Sequence, residues 1–337
     1  MSRLTPNGRR ARRGMTLVEI MISLVLLGIV SGVIMRVISR QQRFYQGVNQ
    51  IITQRGQLRQ ATAVLPMDLR SLSSIDNDLR VVSDSSVEFD LTIGTGVVCE
   101  VVSGAVLAIP PEVLKSGYTY TSFYGYPVPD VAAITRGLWV YVYNDSSVVG
   151  NQDDRWQKFE LTTFTPTAAA CIGTSPLVPI ADAGSLRFKL TLADSGGKTD
   201  LLTGGPVSRY IGVGAPVRIV KRVRYKLYRE SSDSKWYLGF EEYDKSASDW
   251  TFLAPVSGPY EPYATSGGTG IGFKFYDVDG NEIASGAATT ERAKIARIDL
   301  IARAKTSSNV RAAGIQGGVS QQYRDSLAAS VMIRNRQ

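Results

Sequence analysis

The chain has 337 residues, 44% of them hydrophobic and 20% charged, a composition that supports a buried core and excludes a disordered or collagen-like polymer. It contains no histidine, which removes the commonest general base and the commonest metal ligand together. The formal charge of +8 is concentrated at one end: Arg3, Arg9, Arg10, Arg12 and Arg13 lie in the first 14 residues, and the rest carries 33 basic against 30 acidic side chains.

The basic segment gives way at Met15 to an apolar run that continues to Ile38. This is longer than the roughly 7–15 residues of a secretory h-region, and no small-x-small cleavage site follows it. About 20 apolar residues span a bilayer, so 15–38 is expected to be the transmembrane half of an N-terminal helix, with the arginines held on the cytoplasmic side. Glu19 is out of place in such a run, where a carboxylate costs roughly 2.5–3.5 kcal/mol.

The stretch Gly14-Met15-Thr16-Leu17-Val18-Glu19 resembles the class III signal of type IV prepilins and pseudopilins: a basic leader ending in Gly, an apolar residue, then Glu five residues into the processed chain. Met15 stands where that family more often has Phe. The resemblance implies that residues 1–14 are a leader, that a membrane aspartic peptidase cuts between Gly14 and Met15, and that Met15 becomes N-methylated. Cleavage would leave an ammonium in apolar surroundings, and Glu19 of one subunit would meet the amino terminus of its neighbour. Such a pair adds little stability but enforces register, because either charge alone is expensive.

Beyond the membrane, Phe44, Val48, Ile51, Ile52, Leu58, Ala61, Val64 and Leu65 form one apolar stripe among Gln and Arg, predicting an extracytoplasmic amphipathic helix over 39–75 with a kink near Pro66. From residue 80 to 337 the period changes to two, predicting a β-rich head. Strands are expected at Ser86–Ile93, Val97–Val102, Leu138–Tyr143, Arg155–Thr162, Leu186–Leu192 and Ile271–Val278. In PVRIVKRVRYKLYRE, Val217, Ile219, Val223, Tyr225 and Leu227 face one way and Arg218, Val220, Arg222, Arg224, Lys226 and Tyr228 the other, as a solvated face. AKIARIDLIARAK alternates in the same way. ESSDSK and DVDGNE read as hairpin turns. Gly/Ser/Thr/Pro-rich loops are expected at Thr163–Pro179, Ser195–Pro206, Pro255–Gly270 and Ser307–Gly318.

The order of these C-terminal segments, closing with SLAASVMIRNR, resembles the PilW-type minor pilins and the J-type pseudopilins of type II secretion. The fold class implied is α+β and pilin-like, a long helix packed on an antiparallel β-sheet head. The implied function is a minor pilin that primes or tips a type IV pilus, with a type II secretion pseudopilin, or a pilus-associated adhesin or DNA-uptake component, as alternatives. Implied partners are the prepilin peptidase, other minor and major pilins, and the inner-membrane assembly platform. The implied location is the inner membrane, single-pass with the head extracytoplasmic, then the filament.

Enzyme chemistry is not expected, and neither is a cofactor. Cys99 and Cys171 are too few for a zinc site and enough for one disulfide. Asp277 and Asp279 offer oxygens for calcium, but the glycine of DVDGNE comes fourth rather than sixth, which favours a plain turn. The basic strand face has acidic residues near it in sequence, so nucleic-acid binding is not expected.

Overall fold

The computed structural model describes residues 16–74, 77–114, 117–144, 155–168, 171, 176–178, 182, 187–193, 211–265, 268–310 and 321–333. The leader and the loop at 195–206 lie outside the described residues, as does much of the loops at 163–179 and 307–318. The chain divides into two compact units, Met1–Thr53 with Thr306–Tyr323, and Gln54–Lys305 with Arg324–Gln337.

One helix, α1 (Leu17–Leu69), runs from the first unit into the second. Thr16 starts it, its Oγ1 accepting the Glu19 N–H at 3.3 Å, one of the donors that has no partner within the helix. α1 continues past Pro66 and stops at Leu69, short of the expected residue 75.

In the second unit Gln54, Leu58, Ala61, Leu65 and Leu69 of α1 are buried at spacings of 4, 3, 4 and 4, and Pro66 is buried beside Leu65. Leu58, Ala61 and Leu65 of the expected stripe are on this face, and Gln54 joins them by donating to the Ala304 carbonyl at 2.5 Å, while Phe44 and Ile52 in the first unit are 48% and 62% exposed.

The head contains β1 (Leu79–Val82), β2 (Ser86–Val97), β3 (Glu100–Ser103), β4 (Val106–Ile109), β5 (Ser122–Phe123), the short helix α2 (Val131–Gly137), β6 (Trp139–Asn144), β7 (Arg155–Thr167) and β8 (Arg187–Ala193). There follow β9 (Pro216–Arg229), β10 (Trp236–Asp244), β11 (Asp249–Tyr260), β12 (Ile271–Tyr276), β13 (Glu282–Ile283), α3 (Thr289–Arg292), β14 (Arg297–Lys305) and β15 (Arg324–Met332). These strands form two antiparallel sheets rather than one. The larger runs β1-β2-β9-β6-β7-β8-β4-β3, with β10 and β11 joined through β9 and β5 through β2; the smaller runs β13-β12-β14-β15. The α+β class is therefore observed.

β9 organises the larger sheet. Along one edge it pairs with β2 from Pro216 to Lys226; along the other, its first half pairs with β6 and its second half with β10. The sheet forks there, and α2 lies in the fork, with Lys245 donating its N–H to the Arg136 carbonyl at 2.7 Å. Gly137 ends α2 at φ +105°, and a Cβ on it would meet Lys245 Cβ at 2.9 Å. Glycine serves both needs there.

Two strand expectations need correction. The predicted strand Val97–Val102 is broken, β2 ending at Val97 and β3 beginning at Glu100, because Val98 and Cys99 turn to donate their N–H groups to Ala215 and Ala108. The predicted loop Pro255–Gly270 begins as strand, since β11 runs to Tyr260 through Pro255 and Pro259. β11 pairs only with β10, and an edge strand tolerates missing N–H donors.

Cys99 and Cys171 are joined by a disulfide with Cα atoms 5.6 Å apart, packed with Ala108, Leu114 and Val178 in a small core of their own. The bridge closes a 72-residue separation. Replacing both cysteines with alanine is expected to cost roughly 2–4 kcal/mol, read as a lower urea midpoint under oxidising conditions and no change under reducing ones.

Candidate functional site

The proposed processing site straddles the boundary of the described residues. Gly14 and Met15 lie outside them, and Thr16 is the first inside. Glu19 falls in the first turn of α1, where a negative side chain is favoured by the helix dipole. Its carboxylate is exposed, its N–H is held by Thr16, and its C=O accepts from Ser23 Oγ at 2.8 Å. Residues 17–38 are exposed or nearly so, and the helix is long and apolar enough to cross a membrane. An exposed apolar surface of this extent must be covered by lipid or by other chains.

The basic strand face is not a solvated one. In the register of β2, β9 and β10, Glu88 and Glu241 stand on either side of Arg224, and Asp90 stands opposite Arg222. Arg218 donates to Asp78 at 2.8 Å, Arg222 pairs with Glu88, Arg224 with Glu241 at 2.5 Å, and Lys226 with Glu241 at 2.6 Å. Aromatic rings fill the gaps: Arg224 lies 4.1 Å from the Trp250 ring centre, Arg222 4.8 Å from Tyr243, and Arg218 5.3 Å from Tyr141. Four cations that look free in the sequence are thus neutralised across the sheet.

The centre of this face is Asp90, which is fully buried. Its Oδ2 accepts from Arg80 Nη2 at 2.7 Å, from Tyr141 Oη at 2.9 Å and from Lys158 Nζ. Burial alone would raise this carboxyl, but the Lys158 and Arg80 charges more than offset it and hold it below its ordinary value. Burial pulls the Lys158 amine down to about 8. Asp78 goes the other way, raised by burial that Arg218 only partly offsets. Nothing in the sequence identified this cluster, because Arg80, Asp90, Tyr141 and Lys158 lie on four strands that only the folded sheet brings together.

Asp277 and Asp279 lie in the β12–β13 turn. Asp277 Oδ1 accepts the N–H groups of Asp279 and Asn281 at 2.9 and 2.8 Å, and Oδ2 accepts Asn281 Nδ2 at 2.9 Å. The carboxylate closes the hairpin, and these donors hold it below its ordinary value. No group of three or more acidic or cysteine side chains placed to hold a metal occurs among the described residues.

No curated protein and no solved structure matches this chain. Residues 9–35 match the family model of the prokaryotic N-terminal methylation motif, a span that contains Gly14, Met15 and Glu19. The motif implies recognition by a prepilin peptidase and assembly of the processed chain into a filament, and with α1 and the β-rich head it supports a type IV pilin-like or pseudopilin-like protein.

Proposed function

We propose that this chain is a minor type IV pilin of the PilW-like kind. Its leader is removed between Gly14 and Met15, Met15 is methylated, and the mature chain waits in the inner membrane before joining a filament through the apolar half of α1. The observation that carries this reading is the methylation motif at residues 9–35 leading without interruption into a helix whose apolar half is uncovered. The large head, with two sheets, supports a low-copy subunit that primes or tips the filament rather than its repeating shaft. Its work is binding other subunits, and no enzymatic step is part of it. The pairing of Arg218, Arg222, Arg224 and Lys226 with carboxylates supports a protein partner over nucleic acid, since a phosphate backbone would have to displace Asp78, Glu88 and Glu241.

The test is intact mass and N-terminal sequencing of the chain recovered from membranes. The expected start is N-methylated Met15, and Gly14→Ala should leave the leader attached in most of the recovered chain. A wild-type chain still beginning at Met1 would overturn the reading. The C-terminal resemblance to J-type pseudopilins gives the second reading, in which the filament is a secretion pseudopilus. Deletion that abolishes pili while sparing secretion of folded enzymes supports the first, and the reverse pattern supports the second.

A further inference from the structure

Between Glu19 and Asp68 the chain has no acidic residue, yet it carries Arg36, Arg40, Arg43, Arg55 and Arg59. Residues 68–337 are balanced, with 28 basic and 29 acidic side chains, so once the leader is gone the excess positive charge belongs to α1. Arg36, Arg40 and Arg43 follow one another at i, i+4 and i+7, which puts them on one face of the helix. None of the three has a carboxylate partner among the described residues, in contrast to Arg55, Arg218, Arg222 and Arg224.

In the first unit, Arg40, Arg43, Gln46 and Gln50 line one wall of an open cavity of about 870 Å³, with Ser308 and Asn309 on the other. Gln50 Nε2 donates to Ser308 Oγ at 2.9 Å and holds that wall in place. Two guanidinium groups, amides and a hydroxyl, with no acid among them, make a lining suited to an anion. Arginine in particular presents the planar fork that matches a phosphate.

The position along α1 says which anion. The apolar stretch Leu17–Val37 is 21 residues, about 31 Å at 1.5 Å per residue, and fits a hydrocarbon layer of about 30 Å. Placed across that layer, the helix brings Arg36 to its outer boundary. Arg40 and Arg43 then stand about 5 and 9 Å beyond it, in and just outside a headgroup zone roughly 5–7 Å deep. Phe44 and the 65% exposed Tyr45 come next, where interfacial aromatic side chains collect. We infer that the Arg36–Arg40–Arg43 face and its cavity bind the phosphate groups of anionic phospholipids in the outer leaflet of the membrane. The inference rests on the reading of α1 as a membrane anchor.

The experiment uses the full chain purified in mild detergent, titrated with phosphatidylglycerol or phosphatidylethanolamine, and examined by native mass spectrometry. The wild type is expected to retain phosphatidylglycerol preferentially, and Arg40→Gln/Arg43→Gln to weaken that retention roughly tenfold or more. Arg59→Gln, on the part of α1 that packs in the head, should leave it unchanged. Equal retention of the two lipids, or unchanged selectivity in the double variant, overturns the inference. So does a membrane chain without lipid preference whose Arg40 and Arg43 cross-link to carboxylates of another subunit. A chain correctly starting at Met15 but indifferent to lipid charge overturns this inference alone; a chain absent from membranes overturns the proposed function as well.

Discussion

A chain with Glu19 replaced by valine is expected to be cleaved between Gly14 and Met15 much as the wild type is, and then to reach filaments at about a hundredth of the wild-type amount. On the proposed processing, cleavage would create an ammonium at Met15, and without the carboxylate that charge would have to enter the filament core unpaired. A single charge in hydrocarbon costs roughly 2.5–3.5 kcal/mol, and about 1.4 kcal/mol corresponds to a factor of ten. The structure separates this effect from a helix defect. The bonds that residue 19 makes to Thr16 Oγ1 and from Ser23 Oγ use its backbone N–H and C=O, so valine keeps both. Quantifying the chain in sheared filaments against the membrane fraction is the measurement. Normal incorporation of the valine variant would remove this account of the carboxylate, and Glu19→Gln, which keeps the shape and loses the charge, should behave like valine.

Asp90→Asn is expected to destabilise the head by about 3–5 kcal/mol, the usual result of removing one side of a buried ion pair. Arg80, Lys158 and Tyr141 all donate to Asp90 Oδ2, and an amide there leaves two cations facing each other across a buried group. Urea denaturation monitored by tryptophan fluorescence reads the loss, as Trp139 and Trp156 flank the cluster. Asp90→Asn/Lys158→Met should recover part of it, because one of the stranded charges goes too. The pH dependence follows from the lowered carboxyl. With a folded value below the unfolded one near 3.8, Asp90 contributes fully above about pH 4–5, and its contribution is lost as the pH falls through the folded value. Asp90→Asn should therefore flatten the acid limb of the stability profile.

The parts of this molecule that could be read in advance are those in which one side of an element is apolar over several turns or pleats. β14 and the second half of β9 alternate strictly because one face of each lies on the core, whereas Val217–Lys221 of β9 is buried on both faces, and α1 is marked by a long run with no proline before Pro66. β11 could not be read. It is a sheet edge, six of its first eight residues are exposed and none of the eight is buried, and its two prolines imitate a loop. Gln54 was missed on the packed face of α1 for a related reason: it packs because the Ala304 carbonyl is there to receive it, and nothing in the helix sequence announces that acceptor. The same holds for the charged face. SVEFDLTI shows Glu88 and Asp90 only as polar positions in an alternating run; that they are buried and meet Arg222, Arg224, Arg80 and Lys158 depends on pairing with strands up to about 130 residues away. The methylation motif at residues 9–35 was legible, because it is a short linear segment.

The way α1 is fastened into the head bears on how the subunit takes mechanical load. Gln54 is tied to Ala304, Gln57 to Tyr260, Gln60 to Val256 and Asp68 to Tyr225, four attachments distributed along the last 16 residues of the helix, with leucines between them. A pull on the amino-terminal end would tension these links together rather than peel them one at a time, so the anchored segment should resist extraction with a force that scales with the number of links. A fibre that is extended and withdrawn would then strain its intersubunit contacts before it dislodged the helix from its own head.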